Sequence, residues 1–168
     1  KNYDKGHFQS RPNPKSFSYS NIGYALLGVI VEHVSGVSFE AFCQEHIFKP
    51  LDMQNTSWFL KKLDLEQVAK PYTYTDSLGY QFKGHAGYPD YPAGRLRTSI
   101  SDFSKYLTGF LNVRSSEFIV EAETINKIVP IPEVSHNGYY TWFLTSLRDV
   151  LYYSHYGDGV GTSTYVII

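Results

Sequence analysis

The chain has 168 residues, of which 42% are hydrophobic and 18% charged, and its formal net charge is -1. A chain of this length can close one globular core, burying roughly two-thirds of the surface that its unfolded form exposes. Sparse charge and abundant apolar side chains exclude a disordered tail or a coiled coil. Because 15 Lys and Arg face 16 Asp and Glu, the sequence also lacks the positive excess that nucleic acid binding requires.

The cysteine and histidine content predicts neither a disulfide nor a metal site. Cys43 has no partner for an internal disulfide, and we expect it to be a buried, unreactive thiol on the apolar face of a helix. The six histidines include no pair at helical i, i+4 spacing, so we expect no metal and no other cofactor. No run approaches the roughly 20 apolar residues of a membrane span, and residues 1–15 are polar, without the apolar run of a signal peptide.

Apolar periodicity predicts two helices before a long irregular segment. Ile22 to Val34 has apolar residues at helical spacing and ends at Ser35-Gly36, which predicts a well-buried helix. A second helix is predicted over Ser38 to Lys49, with its first residue as the N-cap. Asp52 to Tyr91 holds five Tyr among Gly, Pro and charged residues without sustained periodicity, so we expect a long ordered loop. Its rings suit either a cleft wall or a loop that packs on the helices.

The second half predicts helices followed by antiparallel strands. Ser99 and Asp102 form a capping-box-like pair ahead of an amphipathic helix, and Glu121 to Val129 predicts another helix. Runs of β-branched and aromatic residues then predict strands at residues 139–144, 150–155 and 162–168. The Leu147-Arg148-Asp149 connection is short enough for a hairpin. This order of elements indicates an α+β fold.

Two short motifs carry groups suited to chemistry. Tyr19 and Asn21 stand two residues apart at a helix start, where Asn is also an ordinary N-cap residue. His155-Tyr156-Gly157 ends a predicted strand and is followed by Gly159 and Gly161, and such small residues let a backbone approach a ligand closely. A strand that simply runs into a glycine-rich turn has the same composition, so each motif alone leaves both interpretations open.

Four segments, taken in order, resemble landmarks of the β-lactamase-related serine hydrolases, which include class C β-lactamases, D-alanyl-D-alanine carboxypeptidases and several esterases. The segments are Phe17-Ser18-Tyr19-Ser20-Asn21-Ile22-Gly23-Tyr24 with Leu27-Gly28, Pro50-Leu51-Asp52-Met53 with Thr56, Pro92-Ala93-Gly94 with Thr98 and Asp102, and His155-Tyr156-Gly157. The resemblance implies a β-lactamase/transpeptidase-like fold of the α/β sandwich type, with helices and the long loop over residues 17–130 and antiparallel strands over residues 138–168. One departure is Arg95, which stands where the family usually carries a further Gly.

The resemblance also implies roles for individual residues in an acyl transfer. Tyr19 resembles the general base or proton relay, and Asn21 resembles the donor that orients the substrate amide or ester. His155 resembles the cationic or hydrogen-bonding residue of the third motif. The segment that resembles the substrate-binding strand comprises Tyr156, Gly157 and Asp158. The backbone N–H of Asp158 would be one donor to the oxyanion. A phenol acts as a base at neutral pH only where positive charge and hydrogen bonds favour the phenolate.

The nucleophile motif of the family is absent from the sequence. The family uses a Ser followed three residues later by a Lys, and no Lys in this chain has a Ser at that position. We therefore expect residues 1–168 to be one partial domain, the C-terminal portion of a hydrolase that acts on an ester, amide or β-lactam bond, and to be inactive alone. The alternative is a non-catalytic binding module that keeps the cleft and recognises peptidoglycan peptides or another protein.

Partners and location follow from the same resemblance. The expected partner is a small-molecule or peptide substrate, and the family resemblance implies a periplasmic or extracellular location. An incomplete sheet exposes apolar area and unpaired backbone groups. We therefore also expect self-association or strand exchange of the isolated chain.

Overall fold

The computed structural model describes residues 19–112, 119–129 and 141–168. Expectations for residues 1–18, 113–118 and 130–140, including Phe17 and Ser18, lie outside the described residues. The helices are α1 (Asn21–Ser35), α2 (Phe39–Cys43), α3 (Ile100–Leu111) and α4 (Ala122–Ile128). The strands are β1 (Tyr72–Thr75), β2 (Gly79–Phe82), β3 (Phe143–Leu147), β4 (Val150–Gly159) and β5 (Thr162–Ile167). Helices with antiparallel sheets confirm the predicted α+β class.

The first predicted helix is present, but its predicted burial is wrong. Ser20 is the N-cap and accepts a hydrogen bond from the Gly23 backbone N–H at 3.0 Å, and Gly36 ends α1 with a φ of +74°. The only buried residue of α1 is Gly28. Six of its apolar side chains are 50 to 81% exposed: Ile22, Leu26, Leu27, Val29, Ile30 and Val34. Periodicity gave the helix correctly, whereas burial depends on which elements pack against it.

The second helix carries part of the first core cluster. Ser38 caps α2 by accepting a hydrogen bond from the Ala41 N–H at 3.2 Å, and the helix continues as a π-helical turn, Gln44–Phe48. The buried residues of the cluster are Cys43, Phe48 and Met53, and those packed around them are Phe39, Ile47, Leu51, Trp58 and Tyr106. Burial beside Glu40 raises the pKa of the Cys43 thiol to about 12, so this thiol is buried, as predicted, and protonated at neutral pH.

The segment predicted as a long loop contains a hairpin that the sequence analysis missed. Strands β1 and β2 pair with Tyr72 opposite Phe82, and Gly79 turns the chain with a φ of +66°. Aromatic residues alternate with Thr and Gln along both strands, but the aromatic residues Tyr72, Tyr74, Tyr80 and Phe82 are exposed and do not form a buried face. The hairpin is tied to the main sheet, because the Tyr72 N–H donates to the Gly161 carbonyl at 3.2 Å.

Strands β3, β4 and β5 form the main sheet, in that order. The predicted hairpin at Arg148-Asp149 is confirmed, and both residues have positive φ values of 51° and 62°, as the favoured two-residue hairpin turn requires. Strand β4 extends through Gly159, beyond its predicted end at His155. The second core cluster has Phe110, Ile125 and Trp142 buried, with Leu107, Val120, Val129, Tyr153, Val166 and Ile168 packed on them. It joins α3 and α4 to the sheet.

Asp102 connects α3 to the chain segment that follows α2. Its N–H donates to Ser99 Oγ at 3.1 Å, as expected for the N-cap. Its buried carboxylate accepts hydrogen bonds from the Asn55 N–H at 2.6 Å and from Thr56 Oγ1 at 2.9 Å. Thr56 Oγ1 in turn lies 2.7 Å from Thr98 Oγ1. Asp102 is therefore a tertiary link as well as a first-turn residue of the helix.

We expect Asp102→Ala to lower the free energy of unfolding by about 3 kcal/mol, because the buried hydroxyl of Thr56 and the part-buried N–H of Asn55 lose their acceptor. Urea unfolding measures the change. Glu123→Ala is the control, since Glu123 forms an exposed ion pair with Lys127 at 2.7 Å and such pairs contribute roughly 0–1 kcal/mol. Equal losses in the two variants would contradict the structural role given to Asp102.

Candidate active site

The two residues of the first motif lie on either side of the N-cap of α1. Because Ser20 makes the capping hydrogen bond, Asn21 is the first residue of the helix and its carboxamide is not used as the cap. Tyr19 precedes the cap and is 50% exposed. Its ring centroid lies 6.3 Å from that of Tyr24. Both predicted groups of this motif therefore face solvent from one end of a helix.

Phe143, at the start of β3, brings the first and last motifs together. Its ring centroid lies 6.4 Å from Tyr19, 5.5 Å from His155 and 5.8 Å from Tyr156. We call these four residues the Phe143 cluster. Tyr19 and His155, from opposite ends of the sequence, thus contact the same ring. The sequence analysis missed Phe143, because it belongs to no motif and only the pairing of β3 with β4 places it here.

His155 is uncharged at neutral pH in this setting. Burial lowers the pKa of its imidazole below the usual value of 6.5, and a backbone hydrogen bond with Tyr156 offsets this only in part. A neutral imidazole can donate or accept a hydrogen bond but does not attract an anion by charge. Of the two roles expected for His155, the hydrogen-bonding one is therefore favoured.

The end of β4 presents backbone groups at an edge. Tyr153 and Ile168 exchange two backbone hydrogen bonds at 3.0 and 2.9 Å. In an antiparallel ladder, every second residue of a strand forms its hydrogen bonds with the same neighbouring strand. Counted from Tyr153, the residues whose N–H groups point to β5 are His155, Gly157 and Gly159. The N–H of Asp158 points to the opposite edge of β4. Strand β3 pairs with β4 only as far as Ser154, and no other strand of the described residues covers the edge beyond it. The Asp158 N–H thus faces an edge where a substrate could lie.

The glycines of β4 make room for protein neighbours. A Cβ atom on Gly157 would lie 2.8 Å from Thr164 Oγ1, and one on Gly159 would lie 2.7 Å from Arg95 Nη1. From the sequence we expect a ligand to approach the backbone at these glycines. The groups that approach are side chains of this chain. The predicted glycine-rich turn begins only after Gly159.

The described residues give no sign of a metal centre or of a single membrane-spanning helix. Across residues 19–112, 119–129 and 141–168, no group of three or more His, Cys, Asp or Glu side chains could hold a metal ion. Within the same ranges no single helix is long and apolar enough to cross a membrane. Residues 21–35 and 39–48 pass that test only as a pair, which is bent by 78°.

Comparison with known proteins gives the following matches. The sequence model of the family described as Beta-lactamase matches residues 6–168. Protein flp of Staphylococcus aureus (strain MW2) is 26% identical over 142 residues, which is 83% of this chain and 28% of flp. Penicillin-binding protein 4* of Bacillus subtilis (strain 168) is 37% identical over 81 residues, which is 48% of this chain and 16% of that protein.

A solved structure also resembles the whole described fold. The octameric penicillin-binding protein homologue from Pyrococcus abyssi superposes with a TM-score of 0.76 at 26% identity, covering 96% of this chain and 38% of that one. The chain therefore spans between about a quarter and two-fifths of the relatives that it matches over most of its own length. This likeness agrees with the β-lactamase/transpeptidase-like fold expected from the sequence.

We expect the free energy of unfolding to fall between about pH 7 and pH 5, with His155 contributing. Because folding lowers its pKa, the unfolded chain takes up the proton first, near the unperturbed value of about 6.5, and the stability held above that pH is lost on acidification. Urea unfolding of wild type and His155→Gln at pH 7 and pH 5 tests this. The variant should lose less stability than wild type, and an equal or larger loss would contradict the prediction.

Proposed function

This chain belongs to the beta-lactamase family, and from that premise we propose that it forms part of a serine hydrolase that cleaves an ester, amide or β-lactam bond by acyl transfer. The observation that carries the proposal is the placement of Tyr19 and His155 on the one Phe143 ring, beside the open edge of β4. The nucleophilic Ser and its Lys come from outside these 168 residues, in which no Ser-x-x-Lys occurs.

Each residue of the site has a chemical task in this proposal. Tyr19 takes the proton from the nucleophilic Ser and later gives it to the leaving group. Asn21 and the edge of β4 align the substrate, and the Asp158 N–H stabilises the oxyanion, a contribution typically worth roughly 3–4 kcal/mol per donor. Since burial lowers the pKa of His155, its imidazole serves this site as a hydrogen-bonding group and not as a cation.

The binding module is the second candidate function, and it is favoured by the absence of a Ser-x-x-Lys motif from the sequence. In that case the Phe143 cluster and the edge of β4 recognise a peptide without cleaving it. The two candidates differ in one property, which is the presence of a nucleophilic Ser in the full-length protein. Covalent labelling distinguishes them directly.

We expect the full-length protein to react with a fluorescent penicillin or a fluorophosphonate at one Ser outside this chain, and the 168-residue chain alone to stay unlabelled. Tyr19→Phe should slow labelling by roughly 10²–10⁴-fold, because the phenol hydroxyl that moves the proton is gone. Tyr80→Phe is the matched control, since Tyr80 is 78% exposed in β2. A folded full-length protein that neither reagent labels would establish the binding module instead.

We also propose that the isolated chain self-associates through the exposed face of α1. Six apolar side chains at least half exposed on one helix form a patch of the kind that marks interaction sites. The penicillin-binding protein homologue from Pyrococcus abyssi is octameric, which is compatible with association in this family.

Sedimentation velocity of the 168-residue chain tests the association. The sedimentation coefficient of wild type should rise with concentration, and Leu26→Glu/Ile30→Glu should shift the chain toward monomer. Thr73→Glu, on the separate hairpin, is the control. A wild-type monomer at all concentrations, with native-like circular dichroism, would refute the proposal.

A further inference from the structure

We propose that Arg95 is a specificity-determining residue that binds a carboxylate of the substrate at the Gly159 end of β4. The inference rests on the proposed function, since it assumes that a ligand lies along this strand. It specifies that ligand further, as a molecule that carries an anionic group at a distance from the part that contacts the Phe143 cluster. The backbone, side-chain packing and charge of Arg95 support it.

The backbone of Arg95 has an unfavourable conformation for a residue with a side chain. Its φ is +62°, in the left-handed region that glycine adopts without penalty. It follows the 3₁₀ turn Tyr91–Ala93, which packs on α1, where a Cβ on Gly28 would lie 2.7 Å from Pro92. A glycine would satisfy this backbone better. An Arg here is therefore explained by its side chain and not by the turn.

The side chain reaches across to β4. The guanidinium carbon lies 4.7 Å from the Tyr88 ring centroid, and Nη2 lies 3.4 Å from the Tyr88 hydroxyl, to which it donates. The guanidinium also covers Gly159, whose Cβ would lie 2.7 Å from Nη1. Alternate residues of a strand share a face, so Gly159 and His155 are on the same face of β4. Arg95, which covers Gly159, therefore lies on that face too. Four residues of strand separate the two positions by about 13 Å.

The hydrogen-bonding capacity of Arg95 is largely unused. Its Nε is buried and has no partner, and among the described residues no carboxylate lies within 4 Å of its guanidinium. Arg97 provides the contrast. Its guanidinium donates to the carbonyls of Trp58 and Ala86 at 3.0 and 2.9 Å, and to that of Arg95 at 3.3 Å. The Arg97 guanidinium is therefore bonded to carbonyls of the loop, whereas the Arg95 guanidinium has N–H donors that another molecule could use.

Two guanidinium groups bring positive charge to this end of β4, and the nearby carboxylate of Asp158, which accepts a hydrogen bond from the Gly159 N–H at 3.0 Å, forms no ion pair with either of them. Burial and the nearby charge of Arg95 lower the pKa of Arg97, so two positive groups are close enough to interact. His155, neutral at pH 7, supplies no charge on this face. A guanidinium presents paired N–H donors that match the two oxygens of a carboxylate. The ligand class is therefore a peptide-like molecule with a carboxylate about four residues from the group that contacts His155.

Equilibrium titration of the full-length protein with paired peptides tests the inference. The probes are acetyl-Asp-Ala-Ala-Ala-D-Ala amide and acetyl-D-Ala-Ala-Ala-Ala-Asp amide, which cover both directions along the strand, each compared with its Asn counterpart. In wild type one Asp peptide should bind roughly tenfold more tightly than its Asn counterpart. Arg95→Gln and Arg95→Gly should bring that ratio close to one, and Arg95→Lys should keep part of it. The Gly variant also relieves the left-handed backbone, so its folding is secure.

Arg148→Gln is the matched control, because Arg148 is also an arginine with positive φ, but lies in the exposed β3–β4 turn. It should keep the wild-type ratio. Equal binding of Asp and Asn peptides by wild type, or an equal loss of preference in Arg148→Gln, would overturn the inference. The labelling experiment on the nucleophilic Ser is independent of these titrations. A labelled enzyme without the preference refutes only the role of Arg95, and an unlabelled protein with it refutes only the hydrolase.

Discussion

The buried carboxylate of Asp102 is the interaction on which the arrangement of the site depends. It holds Asn55 and Thr56 against the start of α3. The next residue, Ser57, exchanges two backbone hydrogen bonds with Arg97 at 2.9 and 3.0 Å. These bonds fix the end of the loop that carries Arg95. This carboxylate accepts two hydrogen bonds and is costly to remove, because a buried donor without a partner keeps its full desolvation penalty.

The segments that resemble family landmarks are also physical neighbours. Gly28 of the first segment contacts Pro92 of the third, and Thr56 of the second contacts Thr98 and Asp102 of the third. Arg95, directly after the third segment, covers Gly159 at the end of β4. Small residues at Gly28 and Gly159 are needed because other parts of the chain occupy the space of a side chain. The motifs therefore reflect packing between segments as much as chemistry.

Charge is divided unevenly over the site. The Phe143 cluster has an imidazole whose neutral form is favoured by burial, and two phenols, which are groups suited to hydrogen bonding and proton transfer. Positive charge lies farther along β4, at Arg95 and Arg97. A substrate that spans both regions would have its reacting bond near the cluster and its anionic group near Arg95. With this separation, Arg95 could bind an anionic group of the substrate while His155, near the reacting bond, stays uncharged.

Local interactions account for what the sequence determined by itself. Ser20, Ser38 and Ser99 cap helices through hydrogen bonds that span three residues, so the caps and the apolar spacing predicted the helices. The β-branched runs and the short Arg148-Asp149 turn likewise predicted β4 and β5 and a strand before them, although that strand, β3, spans Phe143–Leu147 and not the predicted residues 139–144. The ordered motifs indicated the family, and with it Tyr19, Asn21 and His155 as site candidates.

Only the tertiary structure decided the burial of α1, the β1–β2 hairpin, and the contacts of Phe143 and Arg95. The apolar spacing of α1 does not say which elements pack on it. The hairpin strands are only four residues long each, and their alternating aromatic residues are exposed. Phe143 reaches Tyr19 and His155 through strand pairing, and Arg95 reaches Gly159 through the Asp102 and Ser57 links. These contacts join residues far apart in sequence, and their energies depend on distances that no local pattern contains.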